Sequence, residues 1–152
     1  MTVKGNPRSY HKRWKFLVEI DGFRNAGFQS CSEIKADVAK IEYWEGGAII
    51  PHKEAGRMTT EDVTLERGAT KDLEMYTWFR EVANAAAGKG GVGAAYKRDT
   101  DVVQQDRDGV QLRRWELSNA WPISFVAGSW DNTADEVVIN SLVLTHDCPI
   151  LP

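Results

Sequence analysis

Polar and apolar residues alternate along the first part of the chain, a pattern typical of a half-buried β-strand. Within residues 13–21, the side chains of Phe16, Val18 and Ile20 share one face. An Asp-Gly pair follows directly, and such pairs favour turns. The sequence therefore predicts a strand that ends in a turn.

A second extended region is predicted over residues 27–43, and its alternation changes phase partway along. Its apolar positions fall into two sets, Ile34, Ala36 and Val38 in one phase and Ile41 and Tyr43 in the other. Because side chains alternate strictly along a strand, a phase change without a break predicts a β-bulge. We expect that bulge near residues 39–40.

Residues 61–67 form another alternating segment, with Val63 and Leu65 inward, and Gly68 ends it. A helix is predicted to follow. Thr70 is expected to cap it, and acidic residues in its first turn, Asp72 and Glu74, suit the positive end of the helix dipole. The helix is expected to run to about Ala87. Its predicted apolar stripe consists of Leu73, Tyr76, Phe79, Val82, Ala83 and Ala86. Trp78 lies off this stripe and is expected to cover a second surface.

The last third of the chain returns to a β pattern. Strands are predicted at residues 101–105, 110–117, 123–127 and 136–146. Asp108-Gly109 lies between the first two, and Asp-Gly between strands is a strong hairpin signal. The predicted order is strands, one helix and then further strands. This order indicates a mainly β protein, because strands and helices do not alternate as they do in a parallel α/β fold.

Residues 45–59 are predicted to be a long loop between two strands. Connections are mostly ~4–6 residues, and longer ones are commonly functional or disordered. The segment is rich in glycine and charge, which suits an arm that reaches a neighbour better than a catalytic pocket. The contact residues expected in it are Glu45, Gly46, Gly47, Pro51, His52, Lys53, Glu54, Gly56 and Arg57.

Length and composition predict a single domain with a real core. A chain of 152 residues buries roughly 68–70% of its extended surface on folding. No apolar run approaches the ~18 residues that a membrane span needs, and the start shows no secretory signal, so a cytoplasmic site of synthesis is expected.

Charge is distributed unevenly along the chain. Residues 1–15 carry five basic residues and no acid, whereas the remaining 137 hold 14 bases and 22 acids, a net charge of -8. An acidic body does not grip phosphate backbones. The basic N-terminal arm, residues 1–13, is interpreted as a solvated tail or as an arm that docks on another protein, with nucleic acid as the alternative.

No catalytic, cofactor or metal site is predicted. The two cysteines, Cys31 and Cys148, lack metal-ligand or redox spacing and are expected to be buried thiols. His146-Asp147-Cys148 is a weak nucleophile pattern, because neighbouring residues on a strand point to opposite faces. Residues 88–93 match G-x-G-x-x-G but follow a helix, which favours a helix stop and connector over a nucleotide site. The six tryptophans are interpreted mainly as core or subunit-contact residues.

Several short pieces, in order, resemble the tail-tube protein family of contractile-tailed phages, which is shared with the tube proteins of phage-like contractile injection systems. They are residues 16–22 (FLVEIDG), 26–28 (AGF), 41–47 (IEYWEGG), 65–70 (LERGAT), 78–80 (WFR), 106–109 (DRDG), 114–115 (RW), 119–122 (NAWP) and the final strand at 136–148. The resemblance covers nearly the whole chain.

The resemblance implies a fold and a set of partners. The expected fold is two packed antiparallel sheets forming a small barrel or sandwich with one flanking α-helix. Six subunits would form a ring, and stacked rings a hollow conduit for DNA. The implied partners are further copies of the chain, a sheath protein outside, a tape-measure protein and transiting DNA or cargo in the lumen, and baseplate and terminator proteins at the ends. The implied location is a virion tail, assembled in the host cytoplasm.

An acidic lumen is expected, because a wall of like charge repels phosphate and lets DNA slide. The candidate lumen-facing residues are Asp37, Glu42, Asp62 and Glu66. Alternative functions are the tube of a protein-delivering injection particle, the related ring protein of type VI secretion and, from another class, a small β-barrel that binds a ligand or acts as a hydrolase.

Overall fold

The computed structural model describes residues 10, 12–22, 27–71, 73–88 and 96–147, together with the backbone of residues 149–150. Within these residues the chain forms one helix, α1 (Glu74–Ala86), and nine strands. The strands are β1 (Phe16–Ile20), β2 (Ser30–Cys31), β3 (Ala36–Tyr43), β4 (His52–Thr60), β5 (Val63–Gly68), β6 (Arg98–Gln105), β7 (Gln111–Ala127), β8 (Ile139–Thr145) and β9 (Pro149–Ile150). The fold is mainly β, as predicted.

The body of the protein is a sandwich in which one long strand serves both layers. Its strands are paired antiparallel in the order β1-β6-β7-β8-β5-β2, and β9 also pairs with β7. Residues 111–120 of β7 pair with β6, whereas residues 121–127 pair with β8. Asn119, at the change of partner, has a positive φ of 51°, and strands that pass from one sheet to another bend in this way. The two sheets do not close into a barrel, so the sandwich form of the prediction is correct.

The core lies between the two layers and follows the predicted alternation. Its buried strand residues include Val18 and Ile20 of β1, Val63 and Leu65 of β5, Leu117 of β7, and Leu142 and Leu144 of β8. The inward positions predicted for the first strand and for residues 61–67 are thereby confirmed. Trp78 of α1 completes this core from the side of the helix.

The helix packs on the sandwich through a face that matches the predicted stripe only in part. Val82 of that stripe is buried, but the other buried residues are Met75 and Trp78, whereas Leu73 and Tyr76 of the stripe are exposed. The indole Nε1 of Trp78 donates a hydrogen bond of 2.6 Å to the carbonyl oxygen of Tyr96, so the largest side chain of the helix is anchored as well as buried. The assignment of Trp78 to a second surface is therefore wrong.

The start of the helix also differs from the prediction. Leu73 occupies the N-cap position without a side-chain capping hydrogen bond, so Thr70 is not the cap. Glu74 does lie in the first turn, while Asp72 is outside the described residues. The helix ends at Ala86, within a residue of the predicted end.

Residues 45–59 are not a long loop. Residues 52–60 form β4, which pairs antiparallel with β3 and makes a two-stranded sheet separate from the sandwich. We call residues 36–60 the ribbon and residues 44–51, which connect its strands, the tip. The prediction of a loop fails because glycine and charge occupy β4, a strand with no buried face that would require apolar alternation.

The predicted bulge is present in the ribbon. Pairing shifts between Val38 and Lys40, where Ala39 stands opposite the two residues Gly56 and Arg57. The extra residue therefore belongs to β4, and its position matches residues 39–40 of the prediction. A bulge increases the local twist of a strand pair, which turns the outer half of the ribbon relative to its base.

The C-terminal strands lie at their predicted positions, except that two of the predicted strands form a single long one. The segments predicted at residues 110–117 and 123–127 are both parts of β7. The hairpin between β6 and β7 is confirmed, because Gly109 has a φ of 82° and its N–H donates to the carbonyl oxygen of Asp106 at 2.9 Å. The N-terminal arm up to residue 9, His11, the Gly-rich connector after residue 88 and Cys148 lie outside the described residues.

Candidate self-assembly surface

The ribbon is the most exposed ordered element of the described chain. Every residue of β3 is exposed, and β4 has only two residues that are less so. Several of its exposed side chains are large and apolar. They are Val38, Ile41, Tyr43, Trp44, Ile49, Ile50 and Met58. Contiguous exposed apolar side chains of this kind mark interaction surfaces.

Both faces of the ribbon carry apolar groups. Residues directly opposite in an antiparallel pair project to the same face, and Val38 stands opposite Met58. Because positions alternate along β3, Ile41 and Tyr43 project from the other face. A contact that covers the ribbon must therefore reach it from two sides, or embed it between neighbours.

The base of the ribbon is fixed to the sandwich by several hydrogen bonds. The hydroxyl of Thr60 donates to the carbonyl oxygen of His146 at 3.3 Å, and Nε2 of His146 lies 3.1 Å from the carbonyl oxygen of Glu61. His146 is buried, so these contacts are shielded from water. The N–H of Glu61 donates to the carbonyl oxygen of Lys35 at 3.1 Å, which joins the two strands of the ribbon just below its first pair.

An ion-pair group surrounds the same base. The Lys35 ammonium lies 3.0 Å from a carboxylate oxygen of Glu61 and 3.5 Å from one of Asp37. The hydrogen bond to Glu61 and the charge of Asp37 raise the pKa of Lys35. All three groups are well exposed, so their contribution to stability is small and salt-dependent. These ion pairs therefore help to orient the base of the ribbon but add little to its stability.

The tip is a tight turn followed by two exposed isoleucines. The N–H of Ala48 donates to the carbonyl oxygen of Glu45 at 3.0 Å, and Gly47 at the third position has a φ of 83°, as a type II turn requires. Ile49 is 92% exposed and Ile50 is 78% exposed. Fully burying side chains of this kind contributes about 1.5–3 kcal/mol each, so the tip is well suited to enter an apolar site.

The predicted contact residues lie on two parts of the ribbon. Glu45, Gly46, Gly47 and Pro51 are in the tip, whereas His52, Lys53, Glu54, Gly56 and Arg57 are on β4. His52 and Glu54 lie two apart on one face, and their side chains are 3.1 Å apart. The prediction named the polar residues and omitted Ile49 and Ile50. An adjacent apolar pair inside a glycine-rich, charged segment was the signal for them.

The four candidate lumen residues are spread over separate elements. Asp37 and Glu42 alternate to opposite faces of β3, and Glu42 pairs with Lys40 at 3.0 Å. Asp62 is exposed between β4 and β5, while Glu66 accepts a hydrogen bond of 3.1 Å from the hydroxyl of Ser30. The structure of one chain does not bring them together into a single patch.

The sandwich itself also has two open margins. Among the described strands, β1 pairs only with β6 and β2 only with β5. Unpaired strand edges invite pairing with another chain, and a protein that keeps them usually covers them in its working assembly.

Catalytic chemistry has no support in the described part of the chain. It holds no group of three or more His, Cys, Asp or Glu side chains placed to bind a metal ion. Cys31 is half-buried, and burial raises the pKa of its thiol to about 11, which keeps it protonated and unreactive at neutral pH. No described helix has the length and apolar character needed to cross a membrane.

Solved structures with a similar fold include parts of an extracellular contractile injection system. The sheath/tube terminator of an extracellular contractile injection system, PVC, in its extended state matches with a TM-score of 0.80 at 22% identity, covering 96% of this chain and 99% of that chain. The PVC sheath-tube complex in its extended state matches with a TM-score of 0.77 at 23% identity, covering 94% and 91%. Hcp1 from Flavobacterium johnsoniae matches with a TM-score of 0.55 at 12% identity, covering 90% and 94%.

Sequence comparison gives the family. A search of curated protein sequences returned no match. The model of the T4-like virus tail tube protein gp19 family, however, matches residues 12–148, which is nearly the whole chain. Members of this family are structural tail tube proteins and not enzymes. This match establishes that the chain belongs to the T4-like virus tail tube protein gp19 family.

Proposed function

We propose that the protein is the structural subunit of the inner tube of a contractile phage tail, in which hexameric rings stack into a hollow conduit for DNA. The observation that carries this proposal is the ribbon of a tail-tube family member, which exposes large apolar side chains on both faces. An isolated two-stranded hairpin is at best marginally stable in water. The ribbon is therefore expected to be stabilised when other copies of the chain bury its apolar side chains.

The geometry of the chain favours assembly by repetition. The tip lies at the outer end of the ribbon, whereas the unpaired edges of β1 and β2 belong to the sandwich, so a contact between tip and edges joins different surfaces of two copies. Contacts of this head-to-tail kind build rings when the rotation closes and filaments when it does not. A tube of stacked rings combines the two. Contacts around the axis close into a ring, and contacts along the axis repeat from one ring to the next.

The proposed surroundings are those of a tail tube. A sheath protein would enclose the tube, a tape-measure protein and then DNA would occupy the lumen, and baseplate and terminator proteins would bind the ends. The similar folds in a sheath-tube complex and in a tube terminator support this arrangement. The location would be a virion tail, assembled in the host cytoplasm.

We further propose that Asp37, Glu42, Asp62 and Glu66 contribute to an acidic lumen. The body of the chain beyond residue 15 carries a net charge of -8, which supports a wall that repels phosphate. Lys35 and Lys40 lie beside two of these acids and reduce their local field. A structure of the assembled ring with a basic lumen would contradict this part of the proposal.

A second candidate is the tube of an injection particle that delivers protein. The structural matches to the PVC particle favour it, whereas the lower TM-score of Hcp1 gives less support to a type VI secretion ring. A small ligand-binding barrel fits less well, because the sheets do not close. Purified native particles distinguish the first two candidates, since only a phage contains DNA that is protected from nuclease until the particle is disrupted.

The assembly proposal is tested by shortening the ribbon at a matched pair. Ile41 stands opposite Glu54, so replacing residues 41–54 by Asn-Gly leaves residues 36–40 paired with residues 55–60 and supplies a two-residue hairpin turn. We expect the variant to fold as a subunit and to form no tubes in negative-stain images, whereas the unaltered chain forms stacked rings.

A control deletion separates loss of the ribbon from general damage. Removing residues 132–134, in the exposed connection between β7 and β8, shortens the chain at a surface away from the ribbon and should leave the rings intact. Normal long tubes from the shortened-ribbon variant would contradict the role proposed for the ribbon. An unaltered chain that stays monomeric under all assembly conditions would contradict the tube proposal as a whole.

A further inference from the structure

A groove of about 660 Å³ lies where the sandwich fails to close. One wall comes from the N-terminal segment, β1, β6 and β7, and the other from residues 29–34 around β2. The two walls thus carry the two strands that have a single partner each, β1 and β2. Occupation of the groove would cover both open margins at once.

The groove is lined by apolar side chains and by two basic ones. The apolar part includes Trp14, Phe16, Ile34 and Trp115, and Trp14 is well exposed. Lys12 and Arg13 supply two positive charges, against the single carboxylate of Glu33. An apolar segment that carries one negative charge is the chemistry that suits this site.

The tip of the ribbon has that chemistry. Ile49 and Ile50 are its most exposed apolar side chains, and Trp44 adds an aromatic ring. Glu45 is the one charged residue among residues 44–51. The side chains of Ile49 and Ile50 are small enough to fit in the groove. Because a tight turn separates Glu45 from them, its carboxylate can lie at the edge of the groove while the isoleucines enter it.

The tip cannot reach the groove of its own chain. Ile34 lines the groove only two residues before β3 begins, so the base of the ribbon lies beside the groove, whereas Ile49 and Ile50 of the tip are exposed and do not line it. Eight residues of β3 at ~3.3 Å each carry the tip about 26 Å from that base. A tip that enters such a groove must therefore belong to another copy.

We propose that the groove between β1 and β2 receives the ribbon tip of a neighbouring copy, with Ile49 and Ile50 against its aromatic side chains and Glu45 beside Lys12 and Arg13. This inference rests on the proposed function and names the receiving site for the ribbon. Each copy gives one tip and offers one groove, so the contact is head-to-tail and links every subunit to the next.

Cross-linking through the natural Cys31, which lines the groove, tests the contact. In a Cys148→Ser background, Ile49→Cys places a single thiol on the tip. Tubes of this variant, treated at pH 9 with a short, thiol-specific bis-methanethiosulfonate because burial raises the pKa of Cys31, should give a ladder of covalent dimers, trimers and longer chains on non-reducing denaturing gels. Asn132→Cys in the same background is equally exposed and should give no ladder. Ala48→Cys replaces Ile49→Cys if the latter fails to assemble.

A charge exchange gives an independent readout. Arg13→Glu should raise the concentration needed for assembly about two- to fivefold, as expected for one partly exposed ion pair, and adding Glu45→Arg should restore it. Tubes without the ladder, and without rescue, would overturn the groove assignment while leaving the tube function standing. A cross-link from Ser9→Cys to Cys31 within one chain would also overturn it, because the N-terminal arm of the same copy would then fill the groove. Absence of tubes from the unaltered chain would instead defeat the proposed function.

Discussion

The sandwich and the ribbon are both built from antiparallel strands, yet they place their side chains in opposite environments. Leu65 of β5 is completely buried, whereas Val38 of β3 is 58% exposed. Strands of the sandwich are covered by the opposing sheet or by α1, while the ribbon has neither. Backbone pairing alone therefore forms a strand pair but leaves its side chains without a core.

The difference separates two functions of one chain. Burial in the sandwich supplies the free energy that holds the subunit together, so its residues act within one copy. The apolar side chains of the ribbon are exposed in the single chain. Their burial contributes free energy only when copies associate. Changes to the two regions should consequently appear in different measurements, subunit stability for one and assembly for the other.

The largest expected effect is on the sandwich. Trp78→Ala removes a side chain that is 1% exposed and the hydrogen bond to the carbonyl oxygen of Tyr96. We expect the free energy of unfolding to fall by about 3–5 kcal/mol, because the variant leaves a cavity and an unpaired carbonyl. Urea denaturation of the unassembled subunit measures it. Trp130→Ala, at an exposed tryptophan, is the control and should change stability by less than about 0.5 kcal/mol. Equal losses in both variants would contradict the assignment of Trp78 to the core.

A smaller effect on stability, with a large effect on assembly, is expected at the bulge. A Cβ added at Gly56 would lie 2.9 Å from the carbonyl oxygen of Ala39 and 3.2 Å from Cγ1 of Ile41. Gly56→Val should therefore distort the ribbon and abolish tubes, while the free energy of unfolding changes by less than about 1 kcal/mol. Gly27→Ala meets no atom within 4 Å and should assemble normally. Tubes of normal length from Gly56→Val would show that the twist of the ribbon is not needed.

The smallest effect is expected at an ion pair that joins three strands of the sandwich. The guanidinium of Arg114 in β7 donates to Glu19 of β1 at 2.8 Å and to Asp101 of β6, and these hydrogen bonds raise the pKa of Arg114. Because the group is partly exposed, Arg114→Met should lower the free energy of unfolding by only about 0.2–1 kcal/mol. The loss should shrink in high salt, where charge interactions are screened. A loss that does not depend on salt would point to packing by the side chain instead.

The strands of the sandwich can be predicted from the sequence because each has one buried face and one more exposed face. Val18, Val63 and Leu65 follow the two-residue period that such strands require, and their burial is confirmed. The bulge lies at the predicted position, but its extra residue belongs to β4. The apolar phase change along β3 therefore reflects apolar side chains on both faces of the ribbon. The Asp-Gly hairpin at residues 108–109 depends only on local backbone geometry, which is why it too is correct.

Two features of the sequence misled the prediction, each for a physical reason. The helix has apolar residues on neighbouring faces, and Tyr76 and Phe79 contact the ring of Phe125 at centroid distances of 5.7 and 6.3 Å. The stripe through them was plausible, but the buried one is centred on Trp78. The sequence predicts a loop where β4 lies, because neither face of β4 is buried within the chain and the strand lacks the alternation that marks a half-buried one.

Hydrogen exchange, followed in the free subunit and in assembled tubes, tests most directly whether copies of the chain complete the ribbon. In the free subunit, amides of β3 and β4 should exchange quickly through local opening, whereas amides of β5 and β8 should be strongly protected. In tubes, the ribbon amides should become as protected as those of the sandwich. Protection of the ribbon in the free subunit, or continued fast exchange in tubes, would contradict the account.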